Sequence, residues 1–316
     1  MNLPEKATQS TMYFLGVTTA KSSIMKVFPR WAEALGLHGA VLKGIDIAIH
    51  APIEDYRQVV DFIKHDPQSL GALVTTHKID LYNATLDQFE YHDPYARLFG
   101  ELSSISKRNG ELRGHAKDPI SSGLSMEAFI PRNFWAKHGG ELFIMGAGGS
   151  ARAIAAYLFA PEKEANMPTK LYAANRSTPR LEDMRDIMRQ INPNIAAEYI
   201  HCPEASVNDQ ILGSLKPYSL VVNATGLGKD RPGSPLTDGA VFPEHSLAWE
   251  INYRGDLLFM HQALRQQKAK NLHVEDGWIY FIHGWTQVIA EVFDTKIDEE
   301  TFNRLEHIAN EVQQGN

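Results

Sequence analysis

The stretch ELFIMGAGGSARAIAAYLF, residues 141–159, decides how the rest of the sequence is interpreted. An apolar run of strand type comes first, glycines stand at 146, 148 and 149, and an alanine-rich helical pattern follows. Glycines at such a turn let backbone amides approach a pyrophosphate at a helix N-terminus. The string alone fits an ordinary strand-to-helix turn equally well, and its GxGG spacing departs from the commonest dinucleotide fingerprint. The surrounding sequence must therefore decide between the two interpretations.

The composition of the chain favours two globular domains. It has 316 residues, of which 43% are hydrophobic and 9% aromatic, and this is enough apolar material for two cores. The formal net charge is -7 at pH 7, so no broad basic face is expected for nucleic-acid phosphates or anionic lipids. We expect neither nucleic acid nor a membrane surface as a partner.

The single cysteine, Cys202, excludes an internal disulfide and a thiolate-rich metal cluster and fits a reducing compartment. We interpret it as a small buried apolar residue. Three histidines that could serve as ligands, His77, His115 and His283, have no metal-site spacing, so no metal is expected. Residues 1–10 lack an apolar core of the signal-peptide type, and no window approaches the roughly 18 apolar residues of a membrane span. A cytoplasmic protein is therefore expected.

Strand and helix patterns alternate through the first third of the chain. Strand candidates at 12–17 and 40–49 are each followed by apolar residues at helical spacing. The segment GALVTTHK, residues 71–78, adds another strand before a further helix. Such alternation predicts an α/β domain with a mostly parallel sheet. Asn109-Gly110 then predicts a hairpin between two short extended segments.

A second α/β unit follows this hairpin. Residues 119–130 have a helical pattern that Asp118 would cap, and the strand and glycine turn of the opening stretch come next. Further strands are predicted at 170–174, 197–201, 219–222 and 247–251. From Asp276 onward the pattern is helical only, as in tails that pack back on another domain.

The residues after the strand at 170–174 indicate which dinucleotide the glycine turn would bind. Asn175-Arg176-Ser177 stands where an NAD site keeps an acid for the ribose hydroxyls, and no acid is present. Arg176, with Ser177 and Arg180, can instead hold a 2'-phosphate through charge-assisted contacts, which favours NADP. The alternative is a solvated arginine at a strand end.

A later strand ends in NATGLG, residues 223–228, whose two glycines allow the backbone to lie against a flat ring. This loop is a candidate support for a nicotinamide, although taken alone it fits a tight turn as well. Its position after the glycine turn and the Arg176 segment makes the three consistent with one NADP site. The loop residues predicted to bind the cofactor are Asn223, Ala224, Thr225, Gly226 and Leu227.

Hydride transfer to or from a secondary alcohol requires a group that handles the hydroxyl proton while the cofactor carries the electrons. Lys78 and Asp118 both follow predicted strands, at the junctions where α/β sites gather. A lysine close to a carboxylate can be tuned to act as acid and base. Spacing alone fits a surface lysine and an aspartate that caps a helix beside Pro119 at least as well.

Taken together, these motifs resemble the shikimate and quinate dehydrogenase family over nearly the whole chain. The resemblance implies an α/β substrate domain with an inserted Rossmann-like NADP-binding domain, a doubly wound parallel sheet, and a cleft between the domains for substrate. The expected limits are 1–118 plus 276–316 for the substrate domain and 119–275 for the NADP domain. The motifs that occur in that family's order are GAGGSARAIAAYL from Gly146, NRSTPR from Asn175, VVNATGLG ending at Gly228, EINYR from Glu250 and DGW from Asp276.

The resemblance also assigns roles to single residues. Lys78 falls where the family has its catalytic lysine, and Asp118 falls where it has the paired aspartate. The cofactor-binding positions are Gly146, Ala147, Gly148, Gly149, Ser150, Ala151, Asn175, Arg176, Ser177, Arg180, Asn223, Ala224, Thr225, Gly226, Leu227 and Gly277. The substrate-binding positions are Ser22, Thr75, Ser103, Tyr253 and Gln287.

Several substrate-facing positions depart from the family pattern. The usual SxSP is Ser22-Ser23-Ile24-Met25 here, the expected asparagine is Ser103, and the NTD segment is Ala116-Lys117-Asp118. The usual glutamine position of the tail holds Gly284, with Gln287 one turn further. A site built to pair substrate hydroxyls discriminates by up to about 10⁴ to 10⁵ against mismatched groups. These exchanges predict a best substrate other than shikimate.

The sequence thus predicts an NADP-dependent oxidoreductase that transfers hydride reversibly between NADP and a secondary hydroxyl or ketone. Because Tyr253 matches a family tyrosine near the substrate carboxylate, the expected substrate is a small, cyclic and anionic polyhydroxy compound. Two alternatives stay open: a shikimate dehydrogenase with a rearranged pocket, and a non-catalytic regulatory protein that binds nicotinamide nucleotide. Retention of both Lys78 and Asp118 speaks against the regulatory protein. A homodimer is one option for its assembly.

Overall fold

The computed structural model of the protein describes residues 3–229 and 231–315, which form two compact α/β units. Unit 1 combines the residues up to Lys117 with those from Gly284 onward, and unit 2 is the inserted segment 118–283. The second boundary lies beyond the expected limit of 119–275 for the inserted domain. Residues 278–293 form one continuous apolar helix there, so no turn signal marks the boundary.

Strands and helices alternate along the described residues, none of whose helices is long and apolar enough to span a membrane. The strands are β1 (Thr11–Gly16), β2 (Val41–Asp46), β3 (Ser69–Val74), β4 (Tyr91–His92), β5 (Ser104–Arg108), β6 (Glu111–His115), β7 (Leu142–Met145), β8 (Leu171–Asn175), β9 (Ala197–His201), β10 (Leu220–Asn223), β11 (Leu247–Glu250) and β12 (His273–Glu275). The α-helices are α1 (Ile24–Ala34), α2 (Ile53–His65), α3 (Lys78–Thr85), α4 (Pro94–Phe99), α5 (Asp118–Phe129), α6 (Phe134–His138), α7 (Gly149–Leu158), α8 (Thr178–Ile191), α9 (Ala205–Ser214), α10 (Leu258–Leu264), α11 (Gln267–Lys270), α12 (Trp278–Phe293) and α13 (Glu299–Gln314).

Unit 1 is built on a six-stranded mixed sheet with the strand order β2-β1-β3-β5-β6-β4. Strand β1, all of whose residues are buried, pairs in parallel with β2 and β3, whereas β5 runs antiparallel to both of its neighbours. The predicted hairpin between β5 and β6 is confirmed. Arg108 pairs with Glu111, and the turn residues Asn109 and Gly110 have φ of 52° and 82°, the left-handed backbone that a two-residue turn requires.

Unit 2 has six parallel strands in the order β12-β11-β10-β7-β8-β9. Numbered within the unit, this is the 3-2-1-4-5-6 order of dinucleotide-binding sheets, and the predicted doubly wound fold is confirmed. Strand β12 was not predicted, since its residues His-Val-Glu at the sheet edge form no apolar run. The direction of winding reverses between β7 and β10.

The core of unit 2 lies on both faces of this sheet. Successive strand residues point to opposite faces, so Ile144 and Val222 pack into one buried cluster while Phe143 and Val221 pack into the other. Helices cover both clusters, which explains why the strands are apolar along their whole length. The polar residues at the strand ends are therefore the exceptions that require an explanation.

Candidate active site

The glycine turn lies at the carboxyl end of β7, where the winding of the sheet reverses. Gly146 has φ of 119° and donates its amide to the Ala174 carbonyl at 2.7 Å. A Cβ on Gly146 would stand 2.5 Å from the carbonyl oxygen of Ala224 after β10, so only glycine fits. Gly148 precedes the first turn of α7, and a Cβ there would meet no described atom within 4 Å. The turn thus has open space in front of the helix.

The N-terminus of α7 supplies groups that can bind an anion. Gly149, Ser150 and Ala151 form its first turn, where backbone amides have no acceptor within the helix and the helix dipole is positive. Ala147 and Ala151 are buried, which fixes the turn against the core. The Ser150 hydroxyl lies 3.4 Å from the hydroxyl of Tyr280 on α12. An anionic ligand such as a pyrophosphate suits this position.

The carboxyl end of the neighbouring strand β8 carries the arginines predicted to select NADP. Arg176 and Arg180 are exposed, and Ser177 precedes α8 without making a side-chain capping hydrogen bond. The side-chain Nδ2 of Asn175 is buried without a hydrogen-bond partner in the described part of the chain. His201 at the end of β9 places Nε2 3.1 Å from the Arg176 carbonyl oxygen. This edge of unit 2 is cationic and holds one unsatisfied donor.

The loop after β10 is held by its own side chains. The Oδ1 atom of Asn223 accepts hydrogen bonds from the Thr225 amide at 3.1 Å and the Thr225 hydroxyl at 2.7 Å. The Thr225 hydroxyl oxygen accepts from the Leu227 amide at 3.1 Å. Gly226 and Gly228 have φ of 75° and 86°, which favour glycine. The loop has one defined shape, and Thr225 is exposed beyond the carboxyl end of β10.

A buried carboxylate supports this loop from β11. Glu250 is 0% exposed, and its Oε2 atom accepts from Asn223 Nδ2 at 2.6 Å. Its Oε1 atom accepts from the Asn252 amide at 3.0 Å and from Asn252 Nδ2 at 2.5 Å. Burial raises the pKa of Glu250 to about 7, and the Asp276 carboxylate acts in the same direction, although hydrogen bonds from Asn252 and Asn223 oppose the shift.

Gly277, before α12, lies against the segment that follows β11. Its amide donates to the Asn252 carbonyl at 3.1 Å, and a Cβ would stand 2.0 Å from the Ile251 carbonyl oxygen. Tyr253, the residue after Asn252, is half-buried and packs its ring on Phe281 with centroids 4.7 Å apart. These contacts fix the backbone near both residues. The cofactor-binding role of Gly277 and the substrate-binding role of Tyr253 stay predictions.

In unit 1, Lys78 and Thr75 follow strand β3, which is parallel to β1 and antiparallel to β5. The amide and the hydroxyl of Thr75 both donate to the Leu15 carbonyl, at 3.0 and 3.1 Å. Lys78 is half-buried at the start of α3, and its amide donates to the Thr75 carbonyl at 3.2 Å. The backbone that carries Lys78 is therefore tied to the centre of the sheet. Its catalytic role stays a prediction.

Ser103 and Lys117 form a hydrogen bond with each other, and Lys117 also pairs with a further residue of unit 1. The buried Ser103 hydroxyl accepts a hydrogen bond from the Lys117 amide at 2.7 Å. The Lys117 ammonium lies 2.7 Å from Oε2 of Glu291 on α12, and Glu291 Oε1 lies 3.2 Å from His115 Nε2. Burial alone would raise the pKa of Glu291, but hydrogen bonds from Lys117 and Ser106 and the nearby Lys117 and His115 side chains hold this pKa below its usual range. Asp118 follows at once as the first residue of α5 and is 8% exposed.

Two further predicted substrate residues lie elsewhere in unit 1. Ser22 is half-buried between a short helical turn, Thr19–Lys21, and α1, and its amide donates to the Thr19 carbonyl at 3.0 Å. Gln287 is half-buried on α12. Among the residues that the structure describes, no group of three or more His, Cys, Asp or Glu side chains is placed to hold a metal ion.

The sequence is 27% identical over 248 residues to the shikimate dehydrogenase (NADP(+)) of Nitrosopumilus maritimus strain SCM1, covering 77% of this chain and 81% of that protein. The chain is thus similar in sequence, over most of the length of both proteins, to a shikimate dehydrogenase (NADP(+)). No family model matches the sequence. The resemblance predicted from the sequence motifs is confirmed by these relatives.

Solved structures show the same fold. A quinate dehydrogenase from Corynebacterium glutamicum in complex with NAD matches with a TM-score of 0.75 at 19% identity, over 96% of this chain and 99% of that chain. The ligand-free 5-ketofructose reductase of Gluconobacter sp. strain CHM43 matches with a TM-score of 0.68 at 18% identity, over 96% of this chain and 99% of that chain. At these identities the likeness concerns the fold alone.

The sequence motifs located the glycine turn and its neighbouring loops but missed two residues. Glu250 and Asn252 organise the loop after β10, although neither was among the expected site residues. The available signal was the strand LAWE, residues 247–250, in which an acid ends an otherwise apolar and buried run. A buried carboxylate needs hydrogen-bond donors, and the asparagine two residues later supplies them.

Proposed function

We propose that this protein is an NADP-dependent dehydrogenase that transfers hydride reversibly between NADP and a secondary hydroxyl or ketone of a small anionic polyhydroxy compound. The observation that carries the proposal is the open glycine turn before α7, at the reversal of strand order in unit 2. Ligands of doubly wound sheets bind in this crevice. A relative named shikimate dehydrogenase (NADP(+)) supports the same class of reaction.

The residues of unit 2 suit a dinucleotide with a 2'-phosphate. The first amides of α7 are suited to the pyrophosphate, and the exposed Arg176 and Arg180 are suited to the phosphate on the ribose. The buried Nδ2 of Asn175 has no hydrogen-bond partner among the described residues, as expected of a donor that a ligand satisfies. When bound, NADP supplies the hydride-carrying chemistry.

Lys78 and Asp118 are the proposed pair that handles the proton. Lys78 would exchange a proton with the substrate hydroxyl, while Asp118 would orient the lysine and accept a hydrogen bond from substrate. Each is the first residue of a helix that follows a strand after a short turn. The proposed substrate contacts are Ser22, Thr75, Ser103, Tyr253 and Gln287.

The local bonding in unit 1 supports a substrate other than shikimate. The Ser103 hydroxyl accepts from the Lys117 amide, and the Lys117 ammonium pairs with Glu291. The Ser103 hydroxyl and the Lys117 ammonium therefore both have partners within the protein. At these two positions the family pattern would place neutral polar side chains that can bind substrate. Fewer neutral donors are left for a ring hydroxyl, and a site with unmatched polar groups discriminates strongly against the wrong substrate.

The proposal is tested by following NADPH absorbance with a panel of shikimate, quinate, other cyclic polyols and hydroxy acids. We expect turnover of at least one compound, with NADP preferred to NAD. Lys78→Ala should lower kcat at least about a hundredfold, the scale of general acid/base catalysis, with an unchanged Kd for NADPH. The matched control is Lys6→Ala, an exposed lysine of the same unit, and it should have the kcat of the original protein.

Each other outcome decides against part of the proposal. Undiminished turnover in Lys78→Ala would overturn the assignment of the proton-transfer pair. Shikimate as the best substrate would identify a shikimate dehydrogenase with a rearranged pocket. Tight NADPH binding without turnover of any compound would favour a nucleotide-binding regulatory protein instead.

A further inference from the structure

Glu250 is a buried carboxylate that the proposed reaction does not use. It ends β11 with 0% exposure and accepts three hydrogen bonds, one from Asn223 and two from Asn252. A carboxylate placed in the interior of a protein is unfavourable unless its acceptor sites are filled. The position of Glu250 beside loop 223–228, which we propose to support the nicotinamide, suggests why the chain keeps an acid there.

The side-chain amide of Asn223 can point in only one direction in this network. Its Oδ1 atom accepts from the amide and the hydroxyl of Thr225. Its Nδ2 atom donates to the carboxylate of Glu250 and, at 3.3 Å, to the Leu227 carbonyl. A carboxylate accepts hydrogen bonds and cannot donate them. Above its pKa of about 7, the ionised Glu250 therefore selects the orientation in which Oδ1 of Asn223 faces Thr225.

We infer that Glu250 is a positioning residue, which orients the Asn223 amide and thereby sets the shape of loop 223–228 for the nicotinamide half of the dinucleotide. The inference rests on the proposed NADP-dependent function. A second asparagine links the loop to the same acid, because Asn252 Nδ2 donates both to Glu250 and, at 3.4 Å, to the Leu227 carbonyl. Loop 223–228 is thus tied to Glu250 through two asparagines.

A neutral amide in place of the Glu250 carboxylate would disfavour this orientation of the Asn223 side chain. In Glu250→Gln the side-chain oxygen can still accept from Asn252, but the NH₂ group then faces Nδ2 of Asn223, and two donors meet. Relief requires the Asn223 amide to turn over. Its NH₂ group would then face the Thr225 amide, which would lose its acceptor, and the Leu227 carbonyl would lose its bond to Asn223. The loop would change shape without a change in side-chain volume.

The test uses two nucleotides that report on different ends of the proposed site. NADPH needs both the Arg176 edge and loop 223–228, whereas 2',5'-ADP carries the 2'-phosphate but no nicotinamide. At about pH 8, where Glu250 is ionised, we expect Glu250→Gln to raise the Kd of NADPH about tenfold or more, as for the loss of a hydrogen bond to a charged group. The Kd of 2',5'-ADP should stay unchanged, because the Arg176 edge does not depend on Asn223.

A double variant separates orientation from the mere loss of a buried acid. In Asn223→Asp with Glu250→Gln, the glutamine NH₂ group donates to one oxygen of the new aspartate, and the other oxygen accepts from Thr225. The contact between the two strands and the acceptor for Thr225 are restored, although the Leu227 carbonyl still lacks its bond to residue 223. We expect this double variant to bind NADPH at least about threefold more tightly than Glu250→Gln, because part of the hydrogen bonding returns.

Glu141 offers a matched control. It is a buried glutamate of the same unit just before β7, at the opposite end of the sheet, where it accepts from the Lys216 amide at 3.1 Å. Glu141→Gln should change the Kd of neither nucleotide.

Three results would overturn the inference. One is equal NADPH binding by Glu250→Gln and the original protein, and another is a double variant no better than the single one. The third is an equal loss of 2',5'-ADP binding, which would indicate general damage to unit 2. An original protein that binds neither nucleotide would instead overturn the proposed function, and the inference with it.

Discussion

A Cβ on Gly146 would stand 2.5 Å from the carbonyl oxygen of Ala224, so β7 and β10 approach at their carboxyl ends too closely for any side chain at the first position of the glycine turn. Gly148, two residues further, faces open space instead. The first glycine is therefore required by the fold, whereas the second leaves room for a ligand. Their substitutions should separate the two requirements.

Gly146→Ala should lower the free energy of unfolding by at least about 2 kcal/mol, because φ of 119° is strained for alanine and the new methyl group overlaps the Ala224 carbonyl. Gly148→Ala should change stability by no more than about 1 kcal/mol while weakening NADPH binding. Urea unfolding and nucleotide titration of both variants check this prediction. A Gly148→Ala protein with unchanged NADPH affinity would show that no ligand uses the open space.

Arg176→Ala should weaken NADPH binding by about 10- to 100-fold, as for a lost hydrogen bond to a charged group, and should leave NADH binding unchanged. The physical reason is that only NADPH carries the 2'-phosphate that a guanidinium can bind in two places. Arg189→Ala is the control, since Arg189 lies in the last turn of the same helix α8 with 69% of its side chain exposed. Equal losses for the two dinucleotides would remove the basis for the NADP assignment.

The buried pair Tyr13 and Asp66 should stabilise unit 1. The Tyr13 hydroxyl donates to Asp66 Oδ2 at 2.6 Å, and Ala7 and Gln68 donate their amides to the same carboxylate. Burial alone would raise the pKa of Asp66, but these hydrogen bonds outweigh it and the pKa is lowered. Tyr13→Phe should lower the free energy of unfolding by about 1.5 to 3 kcal/mol.

Tyr56→Phe is the matched comparison for Tyr13→Phe. The Tyr56 hydroxyl lies 3.3 Å from His77 Nδ1 and 3.4 Å from Asp80 Oδ2, and both distances are longer than the 2.6 Å bond of Tyr13. Its removal should lower the free energy of unfolding by less than about 1 kcal/mol. Denaturant unfolding of both variants gives the comparison, and a larger loss in Tyr56→Phe would refute the reasoning from bond length.

Glu250 should make stability fall as pH rises through neutrality. Burial raises its pKa from 4.5 to about 7, so between these values the folded chain holds a proton that the unfolded chain has released. The contribution of Glu250 to the free energy of unfolding is therefore fully present below pH 4.5 and is lost as the pH rises through about 7. At about 1.4 kcal/mol per pKa unit, the full effect is of order 3 kcal/mol.

The measurement is the free energy of unfolding of the original protein and of Glu250→Gln at about pH 5 and pH 8, on either side of the titration. The original protein should lose more stability over this range, because glutamine stays neutral throughout. Asp276, whose pKa is also raised by burial, contributes in the same direction to both proteins. Identical slopes for the two proteins would contradict the assignment to Glu250.

The sequence predicted most of the secondary structure for local reasons. Apolar periodicity located most of the strands of both sheets, and Asn109-Gly110 indicated the hairpin because both residues accept positive φ. Strand β12 was missed, since it joins the edge of the sheet through backbone pairing with β11 and not through an apolar run. The second domain boundary was not located either, because it lies inside the continuous helix α12, where no turn signal marks it.

The sequence by itself determined two α/β units, the glycine turn at Gly146 and the cationic residues after β8, because these depend on residue type and on neighbours within a few positions. Only the tertiary structure decided which distant side chains meet. Asn223 and Glu250 are 27 residues apart, and they bond because the strand order places β10 beside β11 with their carboxyl ends level. Hydrogen bonding across neighbouring strands depends on that order and register, which no local pattern in the sequence records.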